Sequence, residues 1–300
     1  MSDVEVSVII PTYNGVNKIN VLLNALLKQT YTKFELVVVV DGSTDGTIAV
    51  LDDYRNKFAA YKVIVQPNKG RAVVRNRGVK ESSGDLLIFY DDDMEPMHDS
   101  VSRHISFHDN YQGILGGNQI EERDVKKTDI QNYKATRNEI WMKKYSIGLT
   151  RLDYSNLFFT AANCSIKRKT FFALNGFDER LSDAEDYDFA YRAMQEGVEV
   201  FFDKSNQAFH HDPITAKSYI QRLRQYSQAH AILEKFYPER RMFKRKCFFL
   251  KKFVYSSLAL RFWVILIDRG FLKGLPESAR FKLYDLIIQA LAIEYPNRGL

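Results

Sequence analysis

Cysteine is scarce in this 300-residue sequence, which contains only Cys164 and Cys247. The two cysteines are far apart and neither belongs to a paired C-x-x-C motif, which argues against a disulfide framework and against a cysteine zinc site. The segment Met1–Glu5 carries acidic residues where a secretory signal would carry basic ones, so we expect no export signal. A reducing cytoplasm is therefore the expected environment.

Long apolar runs are absent as well. The run Phe253–Leu260 is interrupted by Arg261 before Phe262–Ile267, so no uninterrupted span of about 20 apolar residues is available to cross a bilayer. No G-x-G-x-x-G motif opens the first predicted helix, which argues against a nicotinamide dehydrogenase. The apolar share of 45% nevertheless supplies a sizeable core, enough for an α/β domain with an elaboration.

The charge is distributed unevenly. The net charge is +6, but residues 213–300 contain 17 Lys/Arg against 6 Asp/Glu, while residues 1–212 contain 26 Lys/Arg against 31 Asp/Glu. The basic character therefore belongs to the C-terminal region. Its sign alone does not distinguish nucleic acid, an anionic membrane and water as the partner.

A basic and aromatic segment narrows this choice. Residues 241–252 interleave basic with large apolar side chains and contain no acid. We predict that residues 241–267 lie on an anionic membrane surface, with Tyr255 and Trp263 at the interface, which makes the protein peripheral on the cytoplasmic face. A helical appendage with its lysines in water is the open alternative. Nucleic acid is not expected as a partner, because no recognition module can be read.

Strands and helices alternate over the first hundred residues. Buried β-branched or apolar runs predict strands at Val6–Ile10, Glu35–Val40, Tyr61–Val65 and Asp85–Tyr90. Helical spacing follows each of the first three, and Ser43 or Thr44 is the expected cap of the second helix. This alternation predicts an α/β fold with a doubly wound, mostly parallel sheet.

Polar side chains follow three of these strands. They lie at Thr12–Asn14, Asp41–Asp45 and Asp91–Asp93, where ligands bind beyond the carboxyl ends of parallel strands. A carboxylate cluster at a strand end needs compensation, and Mg²⁺ or Mn²⁺ with phosphate oxygens supplies it. An isolated D-x-D motif is a weak signal, since a solvated turn or a helix cap explains it equally well.

The ordered set of motifs is more specific than any one of them, and it resembles the family 2 glycosyltransferases of the GT-A fold over about residues 4–212. The matching stretches are Val6–Gly15, Glu35–Thr47, Asn68-Lys69-Gly70 with Arg75-Asn76, Asp91–Asp93, Asn175–Glu179 and Glu185-Asp186. The resemblance implies inverting, metal-dependent transfer of a sugar from a nucleoside-diphosphate donor, with UDP favoured, to a glycan or lipid-linked acceptor.

The same resemblance implies a domain organisation. Residues 1–100 would be the Rossmann-like nucleotide-sugar-binding part of a GT-A domain, and residues 101–213 its acceptor-binding and catalytic part. Residues 214–300 would be a basic helical C-terminal region. We expect either Mn²⁺ or Mg²⁺ as the cofactor, and a histidine ligand would favour Mn²⁺.

The donor residues follow from the family pattern. Pro11, Thr12 and Tyr13 are expected to line the nucleobase pocket, and Asp41 is expected to accept hydrogen bonds from the uracil edge. Arg71 and Arg75 are expected near the base or the pyrophosphate, where a guanidinium can bond two oxygens at once. An exposed helix face is the alternative for each arginine. Of the triplet, Asp91 is assigned to ribose, Asp93 to the metal, and Asp92 to either.

The catalytic residues come from a later motif. Asp186 matches the family's catalytic aspartate, the base that removes the acceptor hydroxyl proton. An N-terminal helix charge is its alternative role. Asp188 and Arg192, four residues apart, are predicted to form a supporting ion pair.

Three weaker assignments complete the site. His210 matches the family's metal-ligating histidine better than His211, with packing or hydrogen bonding as the alternative. Asn163 and Glu185 are candidates for contact with the acceptor or the donor sugar. A buried asparagine satisfied within an ordinary strand explains Asn163 equally well.

Two other functions stay open. A catalytically silent sugar-nucleotide or membrane-binding module would retain Asp41 and Asp93 without needing a base, and the Glu185-Asp186 pair argues against it. A sugar nucleotidyltransferase has a related sheet but should display a Gly-rich phosphate loop after its first strand. This sequence has Pro11–Gly15 there instead.

Overall fold

A computed structural model describes residues 5–124, 126–238 and 249–300 of the chain. Residue contacts divide the chain into two units. Unit 1 comprises Met1–Ile120 and Lys143–His211, and unit 2 comprises Glu121–Met142 and Asp212–Leu300. Helices and strands are numbered in chain order across both units.

Unit 1 contains the strands and most of the short helices. The strands are β1 Val6–Thr12, β2 Glu35–Asp41, β3 Ala60–Gln66, β4 Leu86–Tyr90, β5 Met94–Pro96, β6 Ile114–Ile120, β7 Leu149–Arg151, β8 Asn163–Lys167 and β9 Val200–His210. The helices are α1 Ile19–Leu27, α2 Thr47–Asp52, α3 Arg71–Glu81, α4 Ser100–Asn110, α6 Arg168–Ala173 and α7 Glu185–Gln195.

The strands form one mixed sheet in the order β3-β2-β1-β4-β8-β6-β9-β5, with β7 paired to β9. Strands β3, β2, β1 and β4 are parallel. Strand β8 is antiparallel to both β4 and β6, and β9 is parallel to β6. Because two antiparallel pairings restore the original direction, β9 runs in the same direction as β1, β2 and β4. The carboxyl ends of these strands therefore lie at the same edge of the sheet.

The sequence of β2 explains its central place in the sheet. All residues of Glu35–Asp41 are buried, including four consecutive valines whose side chains alternate between the two faces. Val38 and Val40 belong to the apolar cluster that contains the α1 leucines, whereas Val37 and Val39 pack with α3 on the other face. Helices thus cover both faces, as a parallel sheet requires.

The predicted elements of the first hundred residues are present, with shifts of a few residues at their ends. The expected cap of α2 was wrong. The Asn14 backbone N–H donates to Ser43 Oγ and the Thr44 N–H donates to Asn14 Oδ1, so these residues join two loops. Helix α2 begins at Thr47, whose N–H donates to Asp45 Oδ1 over 3.0 Å.

Unit 2 is helical. Its helices are α5 Asp129–Met142, α8 Ala216–Phe236, α9 Phe249–Leu258, α10 Arg261–Asp268 and α11 Glu277–Gln289, with a 3₁₀ turn at Phe271–Gly274 and a π-helical turn at Ala290–Glu294. Among its described residues, Tyr133 of α5 shares an apolar core with Tyr284 of α11. A buried polar cluster reinforces this contact, because Arg280 Nη2 and Tyr284 OH donate to Asp129 over 2.9 and 2.6 Å.

The two contact-based units differ from the expected domains over one segment. Residues 121–142 were assigned to the acceptor-binding part, but the structure groups Glu121–Met142 with Asp212–Leu300. The reason is that α5 buries Ile130 and Tyr133 in the helical core of unit 2.

The expected interfacial residues are also placed differently. Tyr255 is 7% exposed and lies in the core of unit 2, and Trp263 packs against that core while its Nε1 donates to the Ser257 carbonyl oxygen over 3.1 Å. Phe262 and Phe271 are instead exposed, by 58% and 65%. Residues 241–248 of the predicted membrane segment lie outside the described residues. Among the helices of the described ranges, none has the length and hydropathy to span a bilayer.

Candidate active site

Polar residues converge at the carboxyl edge of the sheet in unit 1. Thr12 and Asp41 end β1 and β2, the aspartate triplet follows β4, and His210 ends β9. A cleft of about 380 Å³ opens at this edge. It is lined by Pro11, Thr12, Tyr13, Lys18, Asp41, Asn68, Gly70, Arg71, Val74, Arg75, Asp91, Asp92, Asp93 and Ser182. The structure thus brings together all the donor residues expected from the sequence.

Asp41 organises the loop that follows β3. Its Oδ1 accepts hydrogen bonds from Gln66 Nε2 and the Lys69 N–H, and its Oδ2 accepts one from the Gly70 N–H, all within 2.9 Å. Gly70 has a φ of +90°, a left-handed conformation that favours glycine. A carboxylate has about four acceptor positions, so one position on Oδ2 is left for a ligand. Tyr13, whose side chain is 51% exposed, lines the same cleft.

Each aspartate of the triplet has a different basic neighbour. Arg75 Nη2 lies 2.6 Å from Asp91 Oδ1, and Lys18 Nζ lies 2.8 Å from Asp92 Oδ1. The Nε2 atom of His210 lies 3.5 Å from Asp93 Oδ1. The three carboxylates therefore have distinct surroundings.

Asp92 is held inside the protein. It is 5% exposed, and its Oδ2 accepts a hydrogen bond of 2.6 Å from Thr12 Oγ1. Gly15 leaves space for this contact, because a Cβ there would lie 2.3 Å from Thr12 Oγ1 and 2.9 Å from Asp92 Oδ2. Burial raises the pKa of Asp92 to about 6, although Lys18 and Thr12 act in the opposite direction. Asp92 thus ties the β1 loop to the triplet.

Lys18 was not identified from the sequence. It precedes α1 in the loop after β1, the same loop that carries Thr12 and Tyr13, and that position is the signal that could have found it. Burial lowers its pKa, but Asp92, Asp93 and Asp91 together raise it above the ordinary value. The lysine therefore carries a full positive charge beside the triplet.

Asp93 and His210 have the properties of cation ligands. Asp93 Oδ1 is buried and has no hydrogen-bond partner among the described residues. Its nearest basic neighbour is the His210 imidazole at 3.5 Å, beyond the usual length of a strong hydrogen bond. In the described part of the chain no group of three or more acidic, histidine or cysteine side chains is arranged around a metal position. The pair fits a cation that takes its other ligands from a diphosphate.

Arg75 is buried rather than exposed on the helix surface. It is 3% exposed, and its Nη1 donates to Glu185 Oε1 over 2.5 Å while Nη2 donates to Asp91. Burial alone would lower the pKa of Arg75, but Asp91, Glu185 and Asp186 raise it above its ordinary value. Arg71, in contrast, is about half exposed and lies 3.5 Å from Asp183.

The neighbouring residue of α3 bonds the same later segment. Asn76 Nδ2 donates to the Phe177 carbonyl oxygen over 2.9 Å, and its Oδ1 accepts from the Phe177 N–H over 3.0 Å. Gly176 has a φ of +65° and passes close to Asn76, because a Cβ there would lie 2.8 Å from Asn76 Oδ1. Two motifs that are a hundred residues apart in sequence therefore meet at α3.

Asp186 stands in the first turn of α7. The preceding Ala184 has a φ of +59°, an uncommon conformation for a residue with a Cβ, and such strain clusters at functional sites. Asp186 is partly exposed and accepts from the Tyr187 N–H at 2.8 Å and the Ala161 N–H at 3.3 Å. Burial and the adjacent Glu185 raise the pKa of Asp186 to about 6, and Arg75 opposes them.

The predicted ion pair on α7 is confirmed. Arg192 Nε lies 2.8 Å from Asp188 Oδ2, and Asp188 is fully buried. Arg192 Nη2 also donates to the Gly176 carbonyl oxygen over 2.8 Å. The pair therefore anchors α7 to the loop that α3 contacts.

Two of the weaker candidates do not reach the cleft surface. Asn163 is fully buried, with Oδ1 2.9 Å from His104 Nε2 and Nδ2 donating to the Asn206 carbonyl oxygen. These contacts fit its alternative role as a buried asparagine with satisfied hydrogen bonds, although one partner is a side chain of α4 and only the other is a backbone group. Glu185 is 2% exposed and bonded to Arg75, so direct contact with a sugar is not supported. The His211 ring lies 2.6 Å from Glu95 Oε2, and only its backbone N–H contacts Asp93, by donating to the Asp93 carbonyl oxygen over 2.9 Å.

A buried polar cluster beneath the site was not predicted. His104 Nδ1 and His108 Nε2 lie 2.8 and 2.9 Å from Ser165 Oγ. Burial lowers the pKa of His104 to about 4 and that of His108 to about 3, so both are neutral at pH 7. Their spacing of four residues within α4 places them on one helix face, which is the sequence signal for this cluster.

Comparison with solved structures defines the class of fold. The mannosyltransferase PcManGT from Pyrobaculum calidifontis, in complex with GDP-Man and Mn²⁺, matches with a TM-score of 0.60 and 17% identity over 98% of this chain and 88% of that chain. Staphylococcus aureus TarS 1–349, in complex with UDP-GlcNAc, matches with a TM-score of 0.56 and 20% identity over 98% and 74%. The chain has a GT-A type α/β fold with a helical C-terminal region, as the motifs predicted.

Sequence comparison then identifies the family. The model of glycosyl transferase family 2 matches residues 7–173, more than half of the chain, so the chain belongs to the family 2 glycosyltransferases. TarS of Staphylococcus aureus MW2, a poly(ribitol-phosphate) β-N-acetylglucosaminyltransferase, is 30% identical over 192 residues, which are 62% of this chain and 32% of TarS. The uncharacterized glycosyltransferase YfnE of Bacillus subtilis 168 is 36% identical over 110 residues, 36% of this chain and 28% of YfnE. The chain thus spans about a third of these curated relatives or less.

Proposed function

We propose that the chain is an inverting glycosyltransferase that transfers a sugar from a UDP-sugar to a glycan or lipid-linked acceptor, assisted by a divalent cation. The observation that carries this proposal is that hydrogen bonds connect the lining of the cleft to the helix that bears the proposed base. Arg75 lines the cleft and bonds both Asp91 of the triplet and Glu185, which directly precedes Asp186. A module that only bound sugar nucleotides would not need the ionisable carboxylate of Asp186 beside the cleft.

Asp186 has the properties of the general base. With a pKa of about 6 it is ionised at pH 7 yet more basic than an ordinary aspartate. As the acceptor oxygen forms its bond to C1 of the donor sugar, the hydroxyl proton passes to Asp186. The bond between C1 and the diphosphate oxygen breaks, and its electron pair leaves with UDP. Attack on the face opposite the leaving group inverts the anomeric centre.

Asp93 and His210 would hold the cation at the diphosphate. An oxygen and an imidazole ligand suit Mn²⁺ best, while Mg²⁺ is accommodated through Asp93 and phosphate oxygens. When bound, the cation neutralises the charge that develops on the departing diphosphate. Asp91 and Asp92 are engaged with Arg75 and Lys18, which leaves Asp93 as the ligand of the triplet.

The nucleobase pocket favours a base with a ring N–H. The remaining acceptor position on Asp41 Oδ2 can take one such hydrogen bond, which uracil, thymine and guanine offer and cytosine does not. UDP is proposed because the TarS structure, on the same fold, contains UDP-GlcNAc. GDP-sugars are the alternative donors to test beside UDP-sugars, because the PcManGT structure contains GDP-Man.

Ligand-dependent thermal stabilisation tests the donor site and the metal together. We expect a UDP-sugar with Mn²⁺ to raise the melting temperature, since a ligand at 100 times its Kd stabilises the native state by about 2.7 kcal/mol. CMP-sugars should have no effect, and Asp93→Ala should remove the dependence on Mn²⁺. Asp109→Ala, which changes an exposed aspartate of α4, is the matched control. The proposal is wrong if no UDP-, GDP- or dTDP-sugar shifts the melting temperature with or without metal.

The helical unit is proposed to rest on an anionic bilayer, the surface in which a lipid-linked acceptor would be held. Phe253, Phe262 and Phe271 are exposed, and the exposed Arg261 and Arg269 lie one residue before Phe262 and two residues before Phe271. Exposed aromatic rings beside basic residues bind at the lipid headgroups. The excess of basic over acidic residues in 213–300 supplies the matching charge for anionic lipid.

Vesicle sedimentation tests this placement. The protein is expected to bind vesicles that contain phosphatidylglycerol and to leave them at high salt, because the attraction is screened. Phe262→Ser with Phe271→Ser should weaken binding by roughly tenfold or more, since burying one phenylalanine is worth about 1.5 to 3 kcal/mol. Ile147→Ser, at a residue of unit 1 that is 87% exposed, is the control. Equal loss in the control, or equal binding to neutral vesicles, would contradict the membrane role.

A further inference from the structure

Arg75 joins three parts of unit 1 through one side chain. It belongs to α3, its Nη1 bonds Glu185 at the start of α7, and its Nη2 bonds Asp91 at the end of β4. The guanidinium is planar with a fixed fork of donors, so bonds from its two ends fix the separation of the two carboxylates. Arg75 is 3% exposed, which means that this geometry is held by packing rather than by solvent.

The surroundings of Arg75 reinforce this geometry. Asn76, the next residue of α3, makes two hydrogen bonds to the Phe177 backbone and one of 3.0 Å to Glu179 Oε1. The Arg75 guanidinium carbon lies 5.9 Å from the centroid of the Phe177 ring. Two consecutive residues of α3 therefore hold the chain segment that leads into the base-bearing helix.

We propose that Arg75 is a positioning residue for transfer, which holds the base-bearing start of α7 at the aspartate triplet through simultaneous bonds to Glu185 and Asp91. This inference rests on the proposed function, in which Asp186 is the base. It differs from the role expected from the sequence, because both terminal nitrogens of Arg75 bond protein carboxylates.

Asp186 has both a negatively charged and a positively charged neighbour, which shift its pKa in opposite directions. Glu185 faces it from its own helix, Arg75 from α3, and Asp91 and the neutral thiol of Cys164 lie in the same region. Burial and Glu185 raise the pKa of Asp186, whereas Arg75 lowers it. The base must be ionised to act, so kcat for transfer should fall at low pH as Asp186 is protonated; we call this fall the acid limb. Removal of Arg75 should move the acid limb to higher pH. Removal of the Glu185 charge should move the limb to lower pH.

Four variants test the proposal through the pH dependence of kcat. Arg75→Met should raise the apparent pKa of the acid limb by about one unit or more, and Glu185→Gln should lower this pKa by a similar amount. Arg75→Lys, which keeps the positive charge, should bring the pKa part of the way back to the wild-type value. We expect kcat of Arg75→Lys to fall about 10- to 100-fold, since a single ammonium cannot hold both carboxylates in place and small displacements of a base are costly. Arg77→Met, which breaks an exposed pair with Glu81 on the same helix, should change neither quantity.

The outcomes separate positioning from other roles. If Arg75 has a purely structural role, its variants should give less folded enzyme with an unshifted acid limb. If Arg75 binds the diphosphate, its variants should raise the KM for the donor and leave kcat and the acid limb unchanged. Either result overturns the proposal. If Arg75→Met does not fold, as circular dichroism would show, Arg75→Lys decides: a loss of kcat at an unchanged donor KM supports the proposal, and an unchanged kcat overturns it. Failure of the proposed function would be seen separately, as full transfer by Asp186→Asn.

Discussion

Transfer by the Asp186→Asn variant is expected to fall by about 10²- to 10⁴-fold, the usual contribution of a general base. Asparagine has nearly the same shape but cannot accept a proton, so the acceptor hydroxyl keeps its proton while the cleft stays intact. Donor binding, measured as thermal stabilisation by a UDP-sugar with Mn²⁺, should persist. The measurement is kcat for sugar transfer at saturating donor.

The wild-type pH profile gives a second readout of the same residue. Asp186 has a raised pKa of about 6, so transfer should be fully present above this pH and should decline as the pH falls through it. Asp188→Asn is not a suitable control, because Asp188 is buried with Arg192. Asp178, which pairs with the exposed Arg180, is a better one, and Asp178→Asn should keep most of the activity. Retention of full transfer by Asp186→Asn would show that another group is the base.

Arg280→Met is expected to lower the free energy of unfolding of unit 2 by about 3 to 5 kcal/mol. The substitution leaves the Asp129 carboxylate buried without its cation, with Tyr284 as the remaining donor. Both tryptophans of the chain, Trp141 and Trp263, belong to unit 2, so urea unfolding followed by tryptophan fluorescence reports on this unit.

The matched control for this prediction is a solvent-exposed pair in the same unit. Arg123 bonds Glu277 through two oxygens at 2.9 Å, but both side chains are substantially exposed. Arg123→Met should therefore cost only about 0.2 to 1 kcal/mol. Equal losses from the two substitutions would mean that burial does not determine the strength of the Asp129 cluster.

The parallel half of the fold was predictable because its strands are buried on both faces. Such strands are continuous apolar runs, and the four consecutive valines of β2 predict a strand of this kind. The place of α5 was not predictable in the same way. Its attachment to unit 2 depends on contacts such as Asp129 with Arg280, which lie 151 residues apart, and no local pattern reports a partner at that distance.

The candidate site was predictable where topology alone places residues. Thr12, Asp41 and the Asp91–Asp93 triplet follow parallel strands, so their convergence follows from the order of strands and helices. The contacts of Arg75 were visible only in the tertiary structure, since a helix sequence does not show which face a later segment will cover. Lys18 was missed for a related reason: a lysine before a helix is normally solvated, and only the packed structure shows Asp92 beside it.

The bond between Arg75 and Glu185 joins residues 110 positions apart, and this has a consequence for the order in which the protein is made. During synthesis the first four parallel strands emerge before α7, so Arg75 and Asp91 are both present in the chain before Glu185 is made. Under the proposed function, docking of α7 then brings Glu185 to Arg75 and places the proposed base, Asp186, at the start of the same helix. A nascent chain that has built only β1 to β4 therefore lacks the proposed base, and we expect transfer to begin only when α7 has folded.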